Sequence, residues 1–280
     1  MYGVAMRRFS GFTLIELALV IAILGLLAAA AFRYATNISN TRNYADLNET
    51  LTTIEEALRA YSASQSRLPC PSDITLSDNA TNFGKEVGTS GDGNCTGYNF
   101  INSGTDPDNA DGLYDATAAS NVVAGGVPTK TLKIDDRYAY DPWGRRILFA
   151  VDKRITATSA FTTYSVTNST IGVVVVKQNS TDTLANAITY KAVYSLTSFG
   201  PNGHGGYVRN PSATSTRFNA ASTNTNEQNN CHCNSSAVTT AFDRIFVQNS
   251  KTPSTTLTNV FDDVVRFKTR SQLVTYSELQ

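Results

Sequence analysis

Glu16 is the only ionisable residue in the 21-residue run from Phe12 to Phe32, and it sits one turn into that run. An acidic side chain within a bilayer helix costs about 2.5–3.5 kcal/mol on insertion scales. A position near the headgroups relieves part of that cost, so a tolerated boundary acid is one reading. The other is an ion pair with a positive charge supplied by a neighbouring chain. Such a pair removes most of the penalty on both groups, and this is the reading we adopt.

The remaining reactive residues are few. An even count of cysteines, Cys70, Cys95, Cys231 and Cys233, favours disulfides in a chain expected to leave the cytoplasm. Of the possible pairings we prefer Cys70–Cys95 with Cys231–Cys233, the second closing a very small ring. Asp106, Asp108, Asp111 and Asp115 cluster around Gly112. Hard oxygen donors of this kind can wrap a calcium ion. The spacing misses the EF-hand pattern and lacks its closing acid, so a solvated turn loop competes with calcium there. No other cofactor is expected. Cys231-His232-Cys233 suggests zinc, but a zinc site needs about four ligands, and the only other histidine is His204.

No enzyme is expected. Neither a Gly-x-Ser-x-Gly elbow nor a His-Glu-x-x-His pair occurs. A Ser-His-Asp triad would have to use His204 or His232, which sit in Gly- or Cys-flanked loops. The pairs Asp135-Asp136 and Asp262-Asp263 are adjacent, and in strands adjacent carboxylates point to opposite faces.

At about 1.5 Å rise per residue, a helix over 12–32 spans about 30 Å, the hydrocarbon thickness of a bilayer. Arg7 and Arg8 place the N-terminus in the cytoplasm and everything after Arg33 outside. Beyond Arg33, Tyr44, Leu47, Leu51, Ile54, Leu58 and Tyr61 recur at helical spacing, with no Gly or Pro before Pro69. One helix of about fifty residues is therefore predicted, apolar all round in its first half and striped in its second. Leu68-Pro69-Cys70-Pro71 ends it. Residues 72–130 read as a long surface connection with short elements. Asp141-Pro142-Trp143-Gly144 reads as a turn anchored by Trp143, leading into a strand at 147–151. Further strands are predicted at 171–176, 188–197, 242–247 and 260–267. Ser198–Gly206 is a glycine-rich turn without the Gly-Lys-Ser/Thr of a phosphate loop. Residues 209–240, Asn224–Asn230 above all, read as a polar loop. Lys+Arg and Asp+Glu are equal at 23 each. That balance and the absence of a basic cluster argue against a nucleic-acid partner.

Gly11-Phe12-Thr13-Leu14-Ile15-Glu16-Leu17, behind a basic leader and ahead of an apolar helix, resembles the class III signal of type IV prepilins and type II secretion pseudopilins. The resemblance implies cleavage between Gly11 and Phe12 by a prepilin peptidase and methylation of the new Phe12 amine. It implies that Glu16 aligns the helix by meeting the Phe12 amine of an adjacent subunit. Many family members carry a proline near position 33, where this chain has Arg33. Asp141-Pro142-Trp143-Gly144 is similar to the entry to the sheet in major pseudopilins. Ser198–Gly203 is similar to their Ser-x-Gly-x-Asp-Gly loop, where calcium can bind; here Asn202 replaces the aspartate and His204 is added.

The expected fold is α+β and pilin-like: a long N-terminal helix packed on a C-terminal antiparallel sheet with long loops. The expected divisions are a leader at 1–11, a transmembrane and filament-core half-helix at 12–32, a soluble half-helix at 33–67, and a globular domain at 68–280. The function implied is a minor pilin or pseudopilin of a type IV pilus or type II secretion filament. Its partners would be other pilin subunits, the prepilin peptidase, inner-membrane assembly machinery, and lipid before assembly. Its location would be the bacterial inner membrane with the globular domain in the periplasm, then the filament. The alternative is a membrane-tethered or secreted binding domain that forms no filament. A rival reading of the leader is an ordinary secretory signal peptide cut near Ala28–Ala31.

Overall fold

The computed structural model describes residues 13–87, 95, 122–158, 160, 171–238, 240, 242–252, 257–269 and 271–273, without the side chains of 30–38 and 257. The acidic loop at Asp106, Asp108, Asp111 and Asp115 lies outside the described residues, as do Gly11 and Phe12. The chain forms two compact units, 1–46 and 47–280.

Helix α1 runs unbroken from Leu14 to Gln65, straight through Arg33. In the first unit its side chains Leu14, Ile15, Leu17, Leu19, Val20, Ile21, Ile23, Leu24, Leu26 and Leu27 are all exposed. Among the described residues no helix is long and apolar enough to cross a membrane. Of the span predicted at 12–32, the side chains of 12 and 30–32 lie outside those residues.

In the second unit the helical stripe turns inward. Leu47, Leu51, Ile54 and Leu58 are fully buried, while Tyr44 and Tyr61 at its ends are half-buried. Full burial stabilises by about 1.5–3 kcal/mol per leucine-sized side chain. The chain leaves the helix at Ser66 in a left-handed conformation (φ 53°). Leu68 then donates its N–H to Ile155 O at 2.9 Å. Arg67, itself buried, bridges Glu86 at 2.8 Å.

The sheet has six strands: β1 (Val122–Gly126), β2 (Leu148–Asp152), β3 (Val174–Lys177), β4 (Thr189–Ser198), β5 (Ile245–Val247) and β6 (Val264–Thr269). β4 is its spine. Ala192 faces Val174 of β3 and Thr269 of β6, while Ser195 faces Ala150 of β2 and Phe267 of β6. So β2 and β3 share one edge of β4, and β6 takes the other. Arg266 of β6 donates to Thr52 Oγ1 (3.0 Å) and Asn48 Oδ1 (3.3 Å) of α1, and Lys268 lies 3.5 Å from Glu55.

The structure corrects several expectations. The sheet is mixed rather than purely antiparallel, because β3 and β5 run parallel. β1 lies inside the stretch read as a surface connection and is buried throughout. Its Val-Val-Ala-Gly-Gly composition carries too little periodicity to mark it. Asn224–Asn230 is not a loop: Asn224 caps a helix, accepting from Asn226 N at 2.9 Å. That helix, Thr225–Cys231, follows α2 (Thr129–Leu132) and is called α3.

Candidate functional site

The start of α1 is built by a reciprocal cap. Glu16 N donates to Thr13 Oγ1 (3.3 Å), while Thr13 N and Thr13 Oγ1 both donate to Glu16 Oε2 (3.2 and 3.1 Å). This is the capping box of a Thr-x-x-Glu sequence, which satisfies helix N–H groups that otherwise lack partners. The Thr-x-x-Glu spacing of this cap is legible in the sequence, and it gives Glu16 an intrachain role.

A second constellation gathers in the globular unit around the turn that follows β4. Glu227 on α3 and Asp262 and Asp263 ahead of β6 are all buried, with one carboxylate oxygen of each within 4.8 Å of the others. The sequence placed Asp262 and Asp263 on opposite faces of a strand. In the structure β6 begins only at Val264, and both acids turn to the same cluster. Asn202 donates its side-chain amide to Glu227 Oε1 and Oε2 (2.8 and 2.9 Å) and its backbone N–H to Asp262 Oδ2 (3.1 Å). Asn230 donates to Asp263 Oδ2 (2.9 Å) and exchanges two hydrogen bonds with the backbone of Val247, hooking α3 to β5. Asp262 Oδ1 and Asp263 Oδ1 are buried with no partner. The backbone at Gly200 (φ +59°) presses on this site: a Cβ there would lie 2.2 Å from Asp262 Oδ1.

The electrostatics follow from that crowding. Burial, then the charge of Glu227, pushes Asp262 up to about 7. Burial and the same neighbours hold Asp263 well above the usual carboxylate range, and burial raises Glu227. Three crowded carboxylates, two of them with an unpartnered oxygen, are the kind of hard-oxygen cluster that a divalent cation can neutralise. Glu227, Asp262 and Asp263 are brought together from two distant segments, so no contiguous motif marks the cluster. The Asp141 turn packs nearby. Asp141 Oδ1 accepts from the backbone N–H groups of Trp143 (3.1 Å) and Arg145 (2.9 Å), and Ser198 Oγ donates to Asp141 Oδ2 (2.8 Å). Asp141 fastens this turn through these three hydrogen bonds.

Third, the same glycine-rich turn reaches the cysteines. Cys231 and Cys233 are joined by a disulfide, as are Cys70 and Cys95. His204 lies against the Cys231–Cys233 pair, and its donor atom and both sulfurs fall within 4.8 Å of one another. His232, between the two cysteines, points elsewhere. Its ring stacks on Phe242 at 4.3 Å, and its Nε2 is bonded to Asp243 O at 2.9 Å. Asp135 caps a short turn by accepting from Arg137 N (2.8 Å), and Asp136 accepts from Thr129 Oγ1 (2.5 Å), so neither joins a site.

Residues 6–32 match the family model described as the prokaryotic N-terminal methylation motif. No solved structure matches the chain. The chain therefore carries a prepilin-type signal, and that signal leading through a long helix into an α+β unit is consistent with the type IV pilins and pseudopilins. The signal implies encounters with a prepilin peptidase and with other pilin subunits.

Proposed function

We propose that this protein is a non-enzymatic filament subunit, cut between Gly11 and Phe12, methylated at Phe12, and assembled through the first half of α1. The observation that carries this reading is the exposed, uniformly apolar start of α1, which bears one acid and belongs to a unit separate from the globular one. Before assembly lipid would cover that surface, with the globular unit in the periplasm; afterwards the helices of neighbouring subunits would. Exchange of one apolar surround for another keeps extraction from the bilayer inexpensive in free energy. The Asp141–Gly144 turn supports a pseudopilin, and the bulk of the globular unit supports a low-abundance subunit.

The experiment uses the capping box. Glutamine also serves at the third position of such a cap, so Glu16→Gln keeps the cap and removes the charge, whereas Glu16→Val removes both. We expect both variants to be processed normally, with mass and N-terminal sequence giving a methylated chain that begins at Phe12. We expect both to be missing from sheared filaments. Filaments containing wild-type amounts of Glu16→Gln would refute the intermolecular ion pair. A chain beginning near Ala31 would refute the filament reading altogether.

We further propose that Glu227, Asp262 and Asp263 hold a calcium ion that ties the turn after β4 to α3 and β6. The support is the pair of buried, unpartnered oxygens, Asp262 Oδ1 and Asp263 Oδ1. The ion would add a positive charge within the cluster, beyond what Lys251 and Arg145 supply to Asp262.

A further inference from the structure

Cys231-His232-Cys233 has no part in the reading above, yet a His204 nitrogen and the two sulfurs of its disulfide lie within 4.8 Å of one another. His232 takes the left-handed conformation (φ 49°) that ends α3. Its N–H donates to Asn229 O (3.2 Å), and that of Cys233 donates to Gln228 O (3.0 Å). The cap holds both cysteines on the side facing His204. Gly205 (φ +75°) lets the turn after β4 lie directly on the sulfurs: a Cβ there would stand 2.6 Å from Cys231 Sγ and 2.8 Å from Cys233 Sγ. His204 Nε2 bonds to Asn234 O at 3.0 Å, and His204 Nδ1 receives only a long contact from Ser222 N at 3.4 Å. Arg217 donates to Cys231 O (2.5 Å) and Gly205 O (3.4 Å), placing a fixed positive charge next to the pair. Such a charge favours thiolates over thiols.

We propose that, when the Cys231–Cys233 bond is reduced, Cys231, Cys233 and His204 bind one zinc ion. The two-sulfur, one-nitrogen donor set suits zinc when a water takes the fourth position, as in zinc sites with three protein ligands. With zinc–sulfur bonds of about 2.3 Å and zinc–nitrogen bonds of about 2.0 Å, tetrahedral ligand atoms sit roughly 3.5–3.8 Å apart. The His204 donor and both sulfurs lie within 4.8 Å of one another, and breaking the disulfide lets the two sulfurs part to that separation. The chemistry balances. A dithiol reductant gives two electrons and two protons to the sulfur–sulfur bond and becomes a disulfide itself; zinc then displaces the two thiol protons. The turn after β4 is thus held on α3 in either redox state, by the packing of Gly205 on the disulfide when oxidised and by the metal when reduced.

Cobalt(II), a coloured stand-in for zinc, tests this on the full chain in detergent. The reduced protein should bind one cobalt per chain and show thiolate-to-cobalt charge-transfer absorption. Added zinc should displace the cobalt, and reoxidation should expel it. Cys70→Ser with Cys95→Ser should leave the signal intact; Cys231→Ser should abolish it. His204→Gln should weaken cobalt binding at least tenfold. No absorption from the reduced wild type, or a signal that survives in Cys231→Ser, overturns the proposal. Release on reoxidation is read on the wild type, so the test stands even if a variant fails to fold.

Discussion

Replacing Asp263 with asparagine should change stability in opposite directions with and without calcium. Asp263 is 4% exposed, and one of its oxygens has no partner. Asparagine keeps an oxygen to accept the bond from Asn230 and removes one of three crowded negative charges. In a chelator at pH 8 the variant should therefore be at least as stable as the wild type. With calcium the order reverses. A cation that binds only the folded state stabilises it by about 2.7 kcal/mol at a hundredfold excess over Kd. For an extracellular-type site with Kd of about 10⁻⁴ M, that excess is reached near 10 mM calcium. At roughly 2–4 °C per kcal/mol for a unit of this size, the wild-type Tm should rise by about 5–11 °C. The variant, short of one anionic donor, should rise by less than half as much. Thermal unfolding of the full chain in detergent, followed by circular dichroism in chelator and in calcium, measures both effects. A wild-type Tm indifferent to calcium, or an equal rise in the variant, would refute the reasoning.

Three other outcomes are expected. In chelator, wild-type stability should fall as pH rises. The folded-state value of Asp262 near 7 lies above its unfolded value, so its contribution is full below about pH 4 and lost by about pH 7. The loss is on the order of 4 kcal/mol, it should show in urea midpoints taken across that window, and calcium should flatten it. Arg146→Met should destabilise by about 3 kcal/mol, the lower end for breaking a buried pair. Arg146 donates to Ile74 O (2.7 Å), Leu76 O and Asp78 Oδ1 (3.0 Å), while Arg209 and Tyr140 still satisfy Asp78; a urea midpoint equal to wild type would contradict this. Replacing Cys70 and Cys95 together by serine should cost about 3.5 kcal/mol by loop-closure entropy over their separation of 25 residues. The same change at Cys231 and Cys233, separated by 2, should cost less than half of that, a ranking that denaturant titration reads directly.

What the sequence by itself determined is local. The apolar run after Gly11, the stripe Leu47, Leu51, Ile54 and Leu58, and the apolar strands 148–151, 174–176 and 192–196 announce themselves because periodicity and β-branched runs act over a few residues. The cap between Thr13 and Glu16 belongs with these, since its three-residue spacing is legible in the chain. What only the tertiary structure decided is which polar residues are inside. Glu227, Asn230, Asp262 and Asp263 carry the composition of solvated loops, and Asn224–Asn230 reads as one. They are buried with partners from distant segments, half-buried Asn202 among them, because a polar group leaves water at tolerable cost only when most of its hydrogen bonds are replaced; one oxygen each of Asp262 and Asp263 is left over. His204 meets Cys231 and Cys233 for the same reason of topology. The turn after β4 is pressed onto α3 by glycines that leave no side chain between them, and a contact between residues nearly thirty apart leaves no mark on either stretch of sequence.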